Sequence, residues 1–219
     1  MEEIMKNLLI IGMGRFGHHL CNNLIKLDNN VTIVDKEEAN VTDMMYKVGN
    51  VQIGDCTIPK VVKSLNLEKF DIVFVCIGTS FQNSLEVTSL IKEMGAKYVI
   101  SKANRDVQAK FLLKNGADEV IYPDRDLAFN LAKRCSTNHV FDYMELTEDY
   151  SLYEIEPLAD WLGKTIKEVG IRQNYSITII GIRNEEGTDV LPSAEYRFNN
   201  KDHLIVIGRQ NDIEPMLGN

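Results

Sequence analysis

A glycine-rich turn, Gly12-Met13-Gly14-Arg15-Phe16-Gly17, has the residue types and spacing that bind phosphate groups. It follows the apolar run Leu8 to Ile11, which predicts a strand, and it opens a helical pattern from about Arg15 to Leu27. In such a unit the first glycine permits the tight turn, the second lets the backbone approach phosphates, and the third lets the helix pack on the strand. Backbone N–H groups and the helix dipole attract the phosphates. GxGxxG spacing alone is a weak indicator, but strand, turn and helix together predict a nucleotide site, with an unliganded glycine turn as the alternative.

Two charged residues indicate which nucleotide groups this site would bind. Asp35 ends the next apolar run, where a carboxylate can accept both ribose hydroxyls and repels a 2′-phosphate, so NADP is disfavoured. Arg15 stands in the first turn of the predicted helix, where the helix dipole disfavours a cation by about 0.3–1 kcal/mol. A terminal phosphate beside Arg15 would offset that cost. The alternative is an arginine that lies along the surface by its aliphatic stem.

Further candidates stand where other predicted strands end, because ligands of open parallel sheets bind at the carboxyl ends of strands. Asp55 and Cys56 are expected to flank a base, Gly78 to let a base or ribose pass, and Lys102 to neutralise phosphate. For each, an ordinary turn residue or helix cap is the alternative. The residues predicted to bind the nucleotide are Gly12, Met13, Gly14, Arg15, Phe16, Gly17, Asp35, Lys36, Asp55, Cys56, Ile77, Gly78, Thr79 and Lys102. No catalytic residue is predicted.

The last helical pattern of this half, from about Asp124 to Ser136, carries two further candidates. Asp124 is predicted either as a helix N-cap or as a carboxylate that joins a divalent cation to phosphate oxygens. An apolar stripe on the same pattern fits packing against a partner. The stripe comprises Leu127, Ala128, Leu131, Ala132 and Cys135, while Phe129 lies outside it and is either singly exposed or packed on another subunit.

The elements that must position these residues form a repeating pattern. Strand-length apolar runs alternate with helical patterns up to about residue 136, and runs that are apolar on both faces predict a parallel sheet covered on both sides. Six such repeats predict an α/β, Rossmann-type doubly wound domain over residues 1–138. Strand-like segments without long helices follow and predict a small α+β domain over residues 139–219. Glu37 to Tyr46 is predicted to be helical.

Composition limits the class of protein. The 219 residues carry a formal net charge of −8, so binding to a nucleic-acid backbone is disfavoured. The four cysteines form no CxxC pair, which argues against a zinc site and fits a reducing cytosol. The sequence starts without a signal-peptide pattern, and its apolar runs are of strand length, so a cytosolic protein is predicted that reaches a membrane only through a partner.

Four segments of the first domain resemble the RCK (regulator of potassium conductance) family. They are residues 10–17 followed by Val34-Asp35, then Gly54-Asp55-Cys56-Thr57, and finally residues 114–123 ahead of the last helix of the first domain. Residues 162–169, 177–182 and 202–208 are similar to the family's C-terminal regulatory domain. The resemblance covers nearly the whole chain and is closest to cytosolic subunits of bacterial Ktr and Trk potassium transporters.

That resemblance implies a regulatory subunit that assembles from dimers into an octameric ring beneath a membrane potassium-transporter subunit, peripheral to the inner face of the plasma membrane. ATP or ADP, or NAD(H), would bind the first domain and change the shape of the ring. Relatives often carry a glutamate at the place of Asp124 that helps to bind a cation such as Mg²⁺ at the nucleotide. Some relatives bind cyclic di-AMP in the second domain. The matching residues here are Ile166, Arg172, Asn174 and Ile177, with burial in the core as the alternative for the isoleucines.

Two other functions stay open at this point. The fold would permit an NAD-dependent oxidoreductase, although no acid–base pair is placed to act on a substrate. An NADH-sensing repressor would need a DNA-reading helix and a basic surface, and neither is apparent. The physiological nucleotide, the membrane partner, the direction of gating and the ligand of the second domain are not determined by the sequence.

Overall fold

The computed structural model describes residues 5–136, 140–147, 149–185 and 187–217. The chain forms two compact units, one up to Arg125 and one from Asp126 onward. This division falls inside a helix, ahead of the boundary expected between residues 138 and 139, which stays a prediction.

A six-stranded parallel sheet forms the centre of the first unit. Its strands are β1 Asn7–Ile11, β2 Asn30–Asp35, β3 Asn50–Ile53, β4 Ile72–Val75, β5 Val99–Lys102 and β6 Glu119–Ile121. Its helices are α1 Arg15–Lys26, α2 Pro59–Ser64, α3 Phe81–Glu93 and α4 Asp106–Lys114, and α5 Pro123–Ser136 begins at the end of this unit and continues into the second. The strand order β3-β2-β1-β4-β5-β6 confirms the doubly wound prediction and puts the point where the order reverses between β1 and β4.

Strand β1 shows why the sheet is covered on both faces. Leu9 and Ile11 pack into one hydrophobic cluster, whereas Leu8 and Ile10 pack into another. Successive side chains of a strand point to opposite faces, so a run of four buried apolar residues needs a hydrophobic layer on each side. The carboxyl ends of the strands then form one edge, where polar residues can meet a ligand.

The helix expected over Glu37 to Tyr46 does not form. Two short 3₁₀ helices take its place, Glu38–Asn40 and Thr42–Met44. Val41 and Met44 are fully buried, and a spacing of three residues suits the tighter 3₁₀ turn. A longer α-helix would need more apolar positions on its buried face than this segment offers. A third 3₁₀ helix, Leu67–Lys69, was not predicted.

The second unit is built on an antiparallel sheet, as predicted for a small α+β domain. Its strands are β7 Val140–Glu145, β8 Tyr150–Ile155, β9 Thr178–Asn184, β10 Gly187–Val190 and β11 His203–Arg209, in the order β10-β9-β11-β8-β7. The helices are α6 Ile166–Val169, α7 Ile171–Tyr175 and α8 Gln210–Met216, and the core contains Trp161 and Phe198. The sequence did not predict β10, α7 or α8, which are short and whose burial depends on the sheet. No helix within the described ranges is long and apolar enough to cross a bilayer.

Candidate functional site

A cavity of about 290 Å³ lies at the carboxyl ends of β1 to β4, where the strand order reverses. The predicted residues that line it are Gly12, Gly14, Asp35, Lys36, Asp55, Cys56, Ile77, Gly78 and Thr79. Four polar residues that the sequence did not single out also line it, namely Glu37, Asn40, Thr57 and Asn83. Met13, Arg15, Phe16, Gly17 and Lys102 do not line this cavity.

The three glycines of the turn differ in whether the fold leaves room for a side chain at their positions. Gly12 has φ +97°, and a Cβ there would lie 3.1 Å from the backbone of Cys76. A Cβ on Gly17 would lie 2.2 Å from the carbonyl oxygen of Gly12. A Cβ on Gly14 would meet nothing within 4 Å. The fold therefore needs glycine at residues 12 and 17, whereas at residue 14 the absence of a side chain leaves an open approach to the backbone.

Helix α1 presents an uncapped N-terminus beside that approach. Gly14 is its N-cap, no side chain caps it, and no acidic residue stands in its first turn. Arg15 is exposed as the first helical residue. Met13 is buried, Phe16 is half-buried, and both side chains pack into a hydrophobic cluster. The backbone N–H groups of the turn, and not the side chains of Met13 and Phe16, are therefore available to bind an anion.

Asp35 is buried, and protein donors already occupy most of its carboxylate. Its Oδ2 accepts from the Met13 N–H at 2.7 Å. Its Oδ1 accepts from the Glu37 N–H at 2.9 Å and from Asn40 Nδ2 at 3.1 Å. A carboxylate offers about four acceptor positions, so these bonds leave one, on Oδ2. The protein's own donors thus leave Asp35 one acceptor position, and the expectation that it accepts both ribose hydroxyls stays a prediction.

Asp55 and the thiols of Cys56 and Cys76 determine the charge of another part of the cavity lining. Hydrogen bonds from the backbone N–H and the hydroxyl of Thr57 lower the pKa of Asp55, so its carboxylate is ionised at neutral pH. Burial raises the pKa of Cys56 and of Cys76 to about 12 each. A thiol held in its neutral form is a poor nucleophile. The cavity therefore combines a fixed negative charge with unreactive sulfur.

Lys102 lies at the end of β5, close to Gly78. Its Nζ would be 3.6 Å from a Cβ on Gly78 and is 5.8 Å from the Phe16 ring centroid. Within the described residues its ammonium group makes no hydrogen bond or ion pair. A half-buried cation without an anionic partner is available to neutralise phosphate.

Asp124 is an exposed residue in the first turn of α5. The helix begins at Pro123, so the expectation that Asp124 is the N-cap is wrong; proline favours the first helical position, and Asp124 comes after it. A carboxylate in the first turn still interacts favourably with the helix dipole. No group of three or more His, Cys, Asp or Glu side chains that could hold a metal occurs in the described part of the chain, and the cation at Asp124 stays a prediction.

The second unit contains a cavity of about 270 Å³ of its own. Ile166, Arg172 and Ile177 line it, but Asn174 does not, because its Nδ2 donates to the carbonyl oxygen of Val169 at 2.7 Å. Ile177 is also fully buried in the core. Three of the four residues predicted to bind a ligand in this unit thus line one cavity. Asn174 instead stabilises the turn between α6 and α7 through its hydrogen bond to Val169.

Comparisons with known proteins agree with this architecture. Residues 8–123 match the TrkA-N domain, and residues 151–217 match the TrkA-C domain. Ktr system potassium uptake protein C of Bacillus subtilis (strain 168) is 37% identical over 208 residues, which cover 95% of this chain and 94% of that protein. Ktr system potassium uptake protein A of the same organism is 30% identical over 209 residues, at 95% and 94% coverage.

Among solved structures, the GsuK channel bound to NAD matches with a TM-score of 0.71 and 19% identity. That alignment covers 100% of this chain but 40% of the channel chain. At this level of identity the match establishes the fold of both units.

Proposed function

Because this chain belongs to the family of proteins built from TrkA-N and TrkA-C domains, we propose that it is a regulatory subunit of a potassium transporter that responds to an adenine nucleotide. The observation that carries the nucleotide site is the open space over Gly14, beside the uncapped N-terminus of α1 and the cavity that contains Asp35. The relatives named as Ktr potassium uptake proteins support the regulatory role.

Charge distribution supports the orientation of the nucleotide. Phosphates would lie over Gly14 and the start of α1, with Arg15 and Lys102 as the nearby cations. The ribose would meet Asp35, and the base would lie toward Asp55 and Cys56. Because Asp35 is a buried carboxylate, a 2′-phosphate is disfavoured, and NADP is the poorest candidate.

The size of the cavity favours a mononucleotide. Ligand pockets usually span about 300–1,000 Å³, and this cavity of about 290 Å³ lies at the lower end. ATP or ADP is therefore proposed as the main ligand and NAD(H) as the alternative. One solved match is GsuK bound to ADP and another is the GsuK channel bound to NAD. Mg²⁺ or another cation near Asp124, and cyclic di-AMP in the cavity of the second unit, are proposed as additional ligands.

Exposed apolar residues support assembly into a ring on the cytoplasmic side of a membrane transporter. On α4, Val107 and Phe111 are about half exposed, and on α5 Leu127 and Leu131 are exposed as well. Such faces are unfavourable in water and suit contacts between subunits. Phe129 has an internal neighbour, since its ring lies 6.3 Å from that of Tyr143. A ligand that binds one ring shape more tightly than another would shift the ring toward that shape.

The test is calorimetry of the full chain with ATP, ADP, NADH, NADPH and cyclic di-AMP. We expect ATP and ADP to bind at one site per chain and NADPH, as the control, to bind most weakly. Strong NADH binding with no ATP or ADP binding, together with turnover of a hydroxy or carbonyl substrate, would mean that the chain is an oxidoreductase and would overturn the proposal.

The variant Arg15→Ala is expected to weaken ATP binding more than AMP binding, because Arg15 would contact a terminal phosphate. Loss of one charge-assisted contact of about 1.5–3 kcal/mol corresponds to roughly a tenfold or greater drop in ATP affinity. AMP affinity should change by less than about threefold. Arg15→Lys is the matched control that keeps the charge. Equal losses for ATP and AMP would exclude contact with a terminal phosphate.

A further inference from the structure

Asn40, in the segment between β2 and β3, contributes to the cavity a side chain that has an unused acceptor. Asn40 ends the first 3₁₀ helix, is half-buried and lines the cavity. Its Nδ2 lies 3.1 Å from Asp35 Oδ1. An ionised carboxylate only accepts hydrogen bonds, so the amide NH₂ must face Asp35. The carbonyl Oδ1 of Asn40 then has no hydrogen-bond partner among the described residues.

A ribose presents two hydroxyls to this region, but Asp35 has one acceptor position left. Met13, Glu37 and Asn40 donate to the other three. The second hydroxyl therefore needs another acceptor near Asp35. Glu37 also lines the cavity, but its carboxylate is 64% exposed and lies 3.9 Å from Lys36 Nζ, so it is solvated and partly paired.

We propose that Asn40 Oδ1 accepts the ribose hydroxyl that Asp35 cannot, and that Asn40 thereby selects ribonucleotides over deoxyribonucleotides. The inference rests on the proposed function, since it assumes that the cavity binds an adenine nucleotide. It assigns Asp35 and Asn40 one hydroxyl each, with the amide NH₂ of Asn40 linking the two acceptors.

The backbone of Asn40 is hydrogen-bonded on both sides and its amide NH₂ is held by Asp35, so its Oδ1 is ordered before a ligand arrives. Its N–H donates to the carbonyl oxygen of Glu37 at 3.0 Å. Its carbonyl oxygen accepts from His18 Nε2, on α1, at 2.9 Å; a carbonyl only accepts, so Nε2 carries the hydrogen. An acceptor ordered in advance loses little entropy on binding. The bond from His18 thereby links the β2–β3 segment to the helix of the glycine turn.

The experiment combines protein variants with ligands that lack one hydroxyl. Calorimetry is run with ATP, 2′-deoxy-ATP and 3′-deoxy-ATP on the wild type, Asn40→Ala and Asn40→Leu. In the wild type each missing hydroxyl should lower affinity by roughly fivefold to tenfold, the usual effect of one hydrogen bond. In both variants ATP affinity should fall by a similar factor, and one of the two deoxy penalties should shrink to less than about twofold while the other persists.

Thr42→Ala is the matched control in the same segment. It removes the hydrogen bond of 2.8 Å from Thr42 Oγ1 to the carbonyl oxygen of Glu38, and Thr42 does not line the cavity. Both deoxy penalties should persist in this variant. If both also persist in Asn40→Ala and Asn40→Leu, the assignment of Asn40 is wrong while ATP binding by the wild type upholds the proposed function. If the wild type binds neither ATP nor ADP, the proposed function fails, and the inference fails with it.

Discussion

The variant Gly14→Val is expected to lose adenine-nucleotide binding while the chain keeps its fold. In the structure a Cβ at this position meets no protein atom within 4 Å, and the backbone has φ −71° and ψ −174°, which any residue adopts. The branched side chain would fill the space through which phosphates reach the first turn of α1. Loss of one or two charge-assisted hydrogen bonds of about 1.5–3 kcal/mol each corresponds to roughly a hundredfold loss of affinity.

Calorimetry with ATP checks the affinity, and denaturant unfolding checks the fold. The free energy of unfolding should fall by no more than about 1 kcal/mol, the difference between glycine and a β-branched residue at an N-cap. If Gly14→Val binds ATP as tightly as the wild type, phosphates do not approach this turn, and the proposed site is wrong.

The variant Gly17→Ala is expected to destabilise the first unit strongly. Alanine is favoured over glycine inside a helix by about 1 kcal/mol, so propensity alone would make the variant more stable. The new Cβ, however, would lie 2.2 Å from the carbonyl oxygen of Gly12, which belongs to the backbone and cannot rotate away. Helix α1 would have to move off β1, and overpacking of this kind costs about 1–3 kcal/mol or more. Because a backbone oxygen cannot rotate away, we expect a steric cost at the upper end of this range, which leaves a net loss of about 2 kcal/mol.

Denaturant unfolding followed by two probes separates the units. Trp161, the single tryptophan, lies in the core of the second unit, whereas far-UV circular dichroism reports both units. Gly17→Ala should move the circular-dichroism transition to lower denaturant and change the Trp161 fluorescence transition less. Gly14→Val is the control for glycine replacement in the same turn. A Gly17→Ala variant as stable as the wild type would show that the close approach of α1 to β1 is not needed.

The strand and helix pattern of the first unit could be predicted because it depends on local apolar runs. Leu8 to Ile11 had to be buried on both faces, and a strand with that property occurs almost only in a sheet covered by helices. The glycine turn could be predicted from spacing, since Gly12 has a positive φ and Gly17 must clear the carbonyl oxygen of Gly12, five residues earlier. The β2–β3 segment was predicted wrongly because its 3₁₀ turns are stabilised by two buried side chains, Val41 and Met44, and not by a helical stripe.

The distribution of hydrogen bonds in the site could not be predicted in the same way. The spacing from Gly17 to Asp35 indicated a ribose carboxylate, but it could not show that Met13, Glu37 and Asn40 would donate to that carboxylate. Asn40, Thr57 and Asn83 were likewise missed, because residues that line a cavity need have no common spacing along the chain.

The sequence by itself thus determined a phosphate-binding turn at Gly12 to Gly17, an acid at the end of β2 and the sheet that carries both. Only the tertiary structure decided that the turn is open at Gly14 and closed at Gly17, and that Asp35 has one acceptor position left. The physical reason is the separation along the chain of the residues that determine each feature. The apolar run of β1 and the spacing of the glycines are properties of short stretches of the chain, whereas the bond from Met13 to Asp35 forms only after β1 pairs with β2 and brings residues 22 positions apart into contact.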